Sequence, residues 1–136
     1  MSLRTSLTLR VHGAFDVKMT PQPADDAAGG AALGRLLIDK RYHGDLDATS
    51  VGQMLAHRTT VDGSAGYVAL ELVTGTLRGK RGSFVLQHFG IMDRGAKSLS
   101  VTVVPDSGTG ELVGISGRMD IEITDGKHSY DLEYST

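Results

Sequence analysis

The sequence predicts an all-β protein, an eight-stranded antiparallel up-and-down β-barrel formed by residues 1–136 as one domain. Two observations support this prediction. Eight segments alternate apolar and polar side chains with the period of two that a strand imposes, and no window keeps helical periodicity for three turns. Short turns join most of these segments, and closing such a meander into a barrel removes its exposed edges.

Composition limits the class of protein. Of the 136 residues, 40% are hydrophobic and 22% are charged, as in globular domains. The chain has no cysteine, which excludes disulfides, thiolate metal sites and cysteine nucleophiles. We expect a cytoplasmic location by default.

The charge pattern argues against nucleic-acid and membrane partners. The formal net charge is −2, whereas nucleic acids and anionic membranes require clustered Lys and Arg. The basic cluster at residues 78–81 is interpreted as a solvated hairpin turn. No apolar run is long enough to span a bilayer, and residues 1–17 lack the continuous apolar stretch of a signal peptide.

The first strand is predicted over residues 13–20, where Phe15, Val17 and Met19 alternate with polar residues. The alternation at residues 7–11 is an extension of this strand or a separate lead-in. Prolines, acids and glycines then predict a long loop over 21–32. The next two strands are predicted over 35–43 and 47–57.

A hairpin over residues 66–90 supplies the fourth and fifth strands, with its turn at 78–82. Both arms carry apolar side chains on both faces, as in strands that are buried or line a barrel. The later strands are predicted over 97–105, 111–124 and 127–134, with Gly114 and Gly117 bending or bulging the seventh strand and Asp125-Gly126 forming a hairpin turn.

Polar side chains that interrupt apolar strand faces are the candidate functional residues. Glu71 shares a face with Tyr67 on the fourth strand, and Gln87 shares a face with Phe89 on the fifth. If the two arms pair in register, Glu71 lies near Gln87 or the neighbouring His88. A carboxylate inside an apolar barrel should have a raised pKa and can act as a general acid or base. His88 is then a proton shuttle or a donor that orients a ligand.

Each of these two residues also has an interpretation without chemistry. For Glu71, it is that the side chain faces solvent and that Val68, Leu70 and Leu72 form the core. For His88, it is a hydrogen-bonded structural histidine.

Three charged residues, Asp39, Lys40 and Arg41, lie in the middle of the second strand. At least one must point inward or pair with a neighbour, so Asp39 and Arg41 are added to the candidate ligand-binding residues. An internal ion pair explains these charges equally well.

We predict no metal and no cofactor. The five histidines lie on separate strands or at their ends, without the close spacing of a metal site. The chain also lacks a GxSxG nucleophile elbow and a glycine-rich loop followed by a helix.

Three segments carry a family resemblance: GSAGYVALE (63–71), GSFVLQH (82–88) and VVPDSGTGEL (103–112). On these segments the chain is identified as a member of the bacterial family domain of unknown function 3224, over roughly residues 13–135. The resemblance implies an allene oxide cyclase-like, or calycin-like, barrel around a mostly apolar cavity. It implies a class of small apolar ligand rather than a reaction, and no catalytic residue is carried over from the plant cyclases.

Three functions remain open. The first is a carrier of a small hydrophobic molecule. The second is a cofactor-free cyclase or isomerase that uses Glu71 with Gln87 or His88 as acid and base. The third is a structural or stress-associated protein whose barrel is filled by its own side chains.

We also expect a homo-oligomer. A barrel has one interior, so the outward apolar side chains need the long loop or another subunit to cover them. The apolar side chains found on both faces of these strands include Val68, Leu70, Leu72 and Leu86.

Overall fold

The computed structural model describes residues 7–136 and shows a closed antiparallel barrel of eight strands. Each strand pairs with the next, and β8 pairs with β1 to close the barrel. The predicted fold class is therefore confirmed. The strands are β1 (Leu9–Pro21), β2 (Gly34–Tyr42), β3 (Leu46–Arg58), β4 (Ala65–Leu77), β5 (Lys80–Asp93), β6 (Ala96–Val103), β7 (Ser116–Thr124) and β8 (Lys127–Ser135).

The starts of the first and seventh strands differ most from the prediction. Residues 9–11 belong to β1, so they extend the first strand. The predicted start of the seventh strand at residue 111 is wrong, because Gly110–Leu112 forms a 3-10 turn and β7 begins at Ser116. Gly114 has a φ of 87°, which ends the turn segment before the strand begins. The first six residues, part of the segment used in the signal-peptide prediction, lie outside the described residues.

Three hairpins are closed by two-residue turns in which both residues have positive φ. Positive φ at both central positions is the type I′ turn, whose twist matches that of the flanking strands. These turns are Arg78–Gly79, Arg94–Gly95 and Asp125–Gly126.

The two ends of the barrel differ. We call the end with residues 59–64, 94–95 and 125–126 the open end; the long loop at 22–33 is also there. The opposite end, the closed end, carries residues 43–45, 78–79 and 104–115. In the loop at 22–33 two 3-10 turns follow Asp25, whose carboxylate accepts a 3.0 Å hydrogen bond from the Ala27 amide. No helix among residues 7–136 has the length and apolar composition needed to cross a bilayer.

The core fills the closed half of the barrel with large side chains. Tyr42 and Tyr130 meet edge to face with ring centroids 5.4 Å apart, and Leu112 and Ile115 cover this end from the loop before β7. Other core side chains include Val11, Leu46, Val73, Leu77, Phe84, Leu86, Val101, Met119, Leu132 and Tyr134. The interior is thus filled at one end, and the hypothesis of a fully filled barrel does not hold at the other.

The pleat of β4 decides which residues reach the interior. Ala69, Glu71 and Val73 point inward and are buried. Val68, Leu70 and Leu72 point outward and are about half exposed. The interpretation that placed these three in the core and Glu71 in solvent is therefore wrong.

Candidate functional site

Glu71 is a fully buried carboxylate surrounded by four donors. Its Oε2 lies 3.2 Å from Lys40 Nζ and 2.8 Å from His88 Nε2. Its Oε1 accepts a 2.7 Å hydrogen bond from Ser50 Oγ and another from the Tyr42 hydroxyl. Lys40 and His88 are themselves buried, so the group is an internal ion pair within a polar network.

The strand register brings these side chains together from four adjacent strands. Lys40 on β2 pairs directly with Ser50 on β3, and Ala69, two residues before Glu71, pairs with His88 on β5. Opposite Glu71 stands Gly52. A Cβ at Gly52 would lie 2.4 Å from the carbonyl oxygen of Leu70, so a larger residue would push β3 and β4 apart next to the carboxylate.

The network keeps Glu71 ionised. Burial by itself raises the pKa of a carboxyl group, because it removes water from the charged form. Here the hydrogen bond from His88, the charge of Lys40 and the hydrogen bonds from Tyr42 and Ser50 outweigh burial and lower the pKa of Glu71 to about 2. The expectation of a raised pKa is therefore wrong, since it placed the carboxylate in an apolar interior without a cation.

The carboxylate of Glu71 also changes the pKa of Tyr42. Burial, followed by the negative charge of Glu71 and the hydrogen bond to it, raises the pKa of Tyr42 far above its ordinary value. Tyr42 therefore stays protonated and serves as a donor.

Tyr67 and His88 extend the network towards the open end. An ionised carboxylate can only accept, so the proton in the contact with Glu71 belongs to His88 Nε2. In the neutral imidazole Nδ1 is then an acceptor, and the Tyr67 hydroxyl lies 3.3 Å from it. Burial and the charge of Glu71 raise the pKa of Tyr67, which keeps this hydroxyl protonated. The result is a chain of hydrogen bonds from Tyr67 through His88 to Glu71.

A cavity of about 620 Å³ occupies the open half of the barrel. Lys40, Tyr67 and His88 line it, whereas the carboxylate of Glu71 lies behind Lys40 and His88 and does not reach it. Most of the surrounding wall is apolar. It includes Phe15, Val17, Met19, Ile38, Met54, Ala56, Met92, Leu99, Ile121 and Ile123.

Lys40 is held on an aromatic wall at the inner end of the cavity. Its Nζ lies 4.8 Å from the ring centroid of Phe15 and 5.7 Å from that of Tyr42. Cation–π contacts of this length add to the ion pair with Glu71. The ammonium group therefore has little freedom to follow a ligand.

The register places four of the predicted ligand-binding residues outside the barrel. Glu71 pairs with Leu86, so Leu86 and His88 point inward on β5, while Gln87 and the half-exposed Phe89 point outward. Of the two neighbours expected for Glu71, His88 is therefore the one that reaches it, and Gln87 is not.

Asp39 and Arg41 flank the inward Lys40 and therefore also face outward. Arg41 pairs with Asp47 at 2.5 Å on the surface. Neither residue is among those that line the cavity. Of the predicted site residues, the structure brings together Glu71, His88 and Tyr67.

Sequence reasoning missed the donors on β2 and β3 that complete the site. The sequence marks Lys40 as one of three charges in a strand and does not single it out from its neighbours Asp39 and Arg41. The signal lay in the alternation: Ile38, Lys40 and Tyr42 share one face, and the two apolar members mark that face as the inner one. Ser50 carries no comparable signal.

The described residues contain no group of three His, Cys, Asp or Glu side chains arranged to hold a metal. The absence of a metal or cofactor in the working protein stays a prediction.

The comparisons with known proteins agree with the fold and leave the reaction open. The model of the family DUF3224, described as a protein of unknown function, matches residues 11–134. A crystal structure of a protein of unknown function from the DUF3224 family of Shewanella oneidensis MR-1 is 50% identical, with a TM-score of 0.87. The match covers 94% of this chain and 97% of that one. No curated protein matches, and the likeness to allene oxide cyclases stays a prediction. On this match over almost its whole length, the chain belongs to the DUF3224 family.

Proposed function

We propose that the protein binds a small, largely apolar molecule in the open half of the barrel. The observation that carries this proposal is the cavity itself, about 620 Å³ in volume and walled mainly by aliphatic and aromatic side chains. Binding pockets for small molecules commonly have this size and character, with a few polar groups that fix orientation.

Three polar side chains at the inner end supply that orientation. Lys40, Tyr67 and His88 line the cavity and are each tied to a neighbour by a hydrogen bond. Because Glu71 balances the buried positive charge, the inner end can receive an apolar group without an uncompensated ion.

One observation favours a second function, proton transfer to a bound substrate. Tyr67 lines the cavity, and its hydroxyl is linked through His88 to Glu71. In a cofactor-free isomerase or cyclase, Tyr67 or His88 would touch the substrate, and Glu71 would act through His88 as a positioning residue. This changes the role expected for Glu71, whose low pKa also makes it a weak base.

Binding can be tested with the neutral fluorescent probe N-phenyl-1-naphthylamine, which brightens in apolar surroundings. We expect saturable binding to the wild type. Ala56→Phe should weaken it at least tenfold, because the ring would occupy the cavity that Ala56 lines. Leu55→Phe is the matched control, since the adjacent Leu55 is 47% exposed on the outer face.

Equal loss of binding in both variants, or no loss in either, would contradict binding in the barrel. Absence of saturable binding to the wild type would contradict the proposed function itself.

A further inference from the structure

We infer that the natural ligand is an amphipathic anion, whose apolar body enters the cavity and whose single negative group stays at the open end. This inference rests on the proposed function. It starts from the charges around the cavity: the lining includes Lys40, Arg58 and Lys97, and no Asp or Glu among the described residues. The chain as a whole has two more acidic than basic residues, so the charge around the cavity is opposite in sign to the net charge of the protein.

The cations occupy two levels of the barrel with different roles. Lys40, at the inner end, is neutralised by Glu71 at 3.2 Å. Arg58 and Lys97 lie at the mouth, and within residues 7–136 neither has a carboxylate within salt-bridge distance. The available positive charge is therefore at the mouth and not at the inner end.

The strand register places Arg58 and Lys97 on the same part of the barrel rim. Arg58 pairs with Ala65, Ala65 with Met92, and Met92 with Lys97. Three steps between neighbouring strands separate the two cations by about 14 Å along the sheet. Their long, flexible side chains stand on either side of that stretch, so an anionic group there meets one or both.

His57 adds a third polar group at this position. It lines the mouth, and its Nδ1 lies 2.6 Å from the carbonyl oxygen of Ala32, which ties the loop at 22–33 to β3. In this contact Nδ1 must donate, because a carbonyl oxygen only accepts. His57 therefore holds the loop in place, while Arg58 and Lys97 present positive charge to a bound head group and no carboxylate lining the cavity opposes it.

The orientation of the bound ligand follows from the positions of the neutralised cation at the inner end and the two cations at the mouth. An anion at the inner end would compete with Glu71 for Lys40 and would be buried beside a carboxylate, which is unfavourable. At the mouth the head group keeps its water and gains a cation, while the apolar body gains the burial of its surface.

The test compares three probes with one apolar chain and different head groups: decanoate, 1-decanol and decylamine, each measured by calorimetric titration or by displacement of N-phenyl-1-naphthylamine. We expect the wild type to bind decanoate most tightly and decylamine least. The double variant Arg58→Gln with Lys97→Gln should weaken decanoate binding by roughly three- to tenfold, as expected for exposed charge contacts, and leave 1-decanol unchanged.

The matched control is Lys80→Gln with Arg81→Gln, which removes the same charge at the closed end. It should leave all three affinities unchanged. If the wild type binds decanoate and 1-decanol equally, or if both double variants weaken decanoate alike, the inference fails while the proposed function stands. If none of the three probes binds, the proposed function fails.

Discussion

Glu71 is ionised in the barrel interior because four neighbours stabilise its charge. The stability of the folded state should therefore decrease at low pH. In the unfolded chain the carboxyl group returns to its ordinary pKa of 4.5, against about 2 in the folded state. As the pH falls, the unfolded state therefore takes up the proton first.

We predict that the free energy of unfolding, measured by urea denaturation at a series of pH values, is highest above pH 4.5 and falls as the pH approaches 2. The contribution of Glu71 to this loss should be about 3 kcal/mol. Glu111→Gln, a change at an exposed residue of the closed end, should keep the same pH dependence. A profile that is flat over this range would contradict an ionised, internally paired Glu71.

The ion pair can be examined by a double-mutant cycle. Lys40→Met should destabilise the protein by about 3–5 kcal/mol, because it leaves Glu71 as a buried charge without its cation. Lys18→Met, an exposed lysine on β1, is the control and should change stability by less than about 0.5 kcal/mol. Combining Lys40→Met with Glu71→Gln should cost less than the sum of the two single changes. Simple additivity would show that the two charges do not interact.

At the level of the strands, the cost of replacing a glycine depends more on how closely neighbouring backbones approach it than on a turn conformation alone. A Cβ at Gly75 in β4 would lie 2.3 Å from the carbonyl oxygen of Asp47 and 2.6 Å from Cα of Ala48. At Gly79, in the turn, nothing lies within 4 Å of the added Cβ, although φ is 79°.

We therefore predict that Gly79→Ala costs about 1–2 kcal/mol from its left-handed backbone, and that Gly75→Ala costs more because β3 and β4 must separate. Gly66→Ala, where the nearest atom is 3.5 Å away, is the control for adding a methyl group to β4. Chemical denaturation measures all three. A smaller cost at Gly75 than at Gly79 would contradict the packing argument.

The strands could be predicted from the sequence because alternation and turn residues are local signals. The faces of the strands could not all be predicted, because both faces of β4 and β5 are apolar and the inner face is set by pairing with distant strands. Phe89 and Leu86 show this: similar in character, they point to opposite sides. The Lys40–Glu71 contact joins residues 31 apart in sequence, so the lowered pKa of Glu71 had no local signal.

At the scale of the whole molecule, the outer surface of β3, β4 and β5 carries a continuous apolar patch. Register places Val51 beside Leu72, and Val68 between Leu55 and Phe89. The polar residues facing the central Leu70, Gln53 and Gln87, are uncharged. Each large apolar member is about half exposed: Val51, Leu55, Val68, Leu70, Leu72, Phe89 and Ile91.

We propose that this patch pairs with the same patch of a second copy, because an uncharged face can meet itself across a two-fold axis without repulsion between like charges. Sedimentation of the wild type should give the mass of a dimer. Leu70→Glu should give a monomer, since it brings two carboxylates to the centre of the contact, while Val113→Glu at the closed end, where Val113 is 68% exposed, should not. A monomeric wild type at high concentration would contradict the proposal.

The pairing of β1 with β8 also determines when the barrel can form. The ladder joins Leu9 to Tyr134, so closure requires contact across nearly the whole described chain. Contacts of such high sequence separation slow folding, which we expect on the millisecond to second timescale in stopped-flow refolding. During translation, β1 has only β2 as a partner until β8 leaves the ribosome. The nascent chain must therefore keep one edge of β1 unpaired, and available to other strands, until synthesis of the barrel is almost finished.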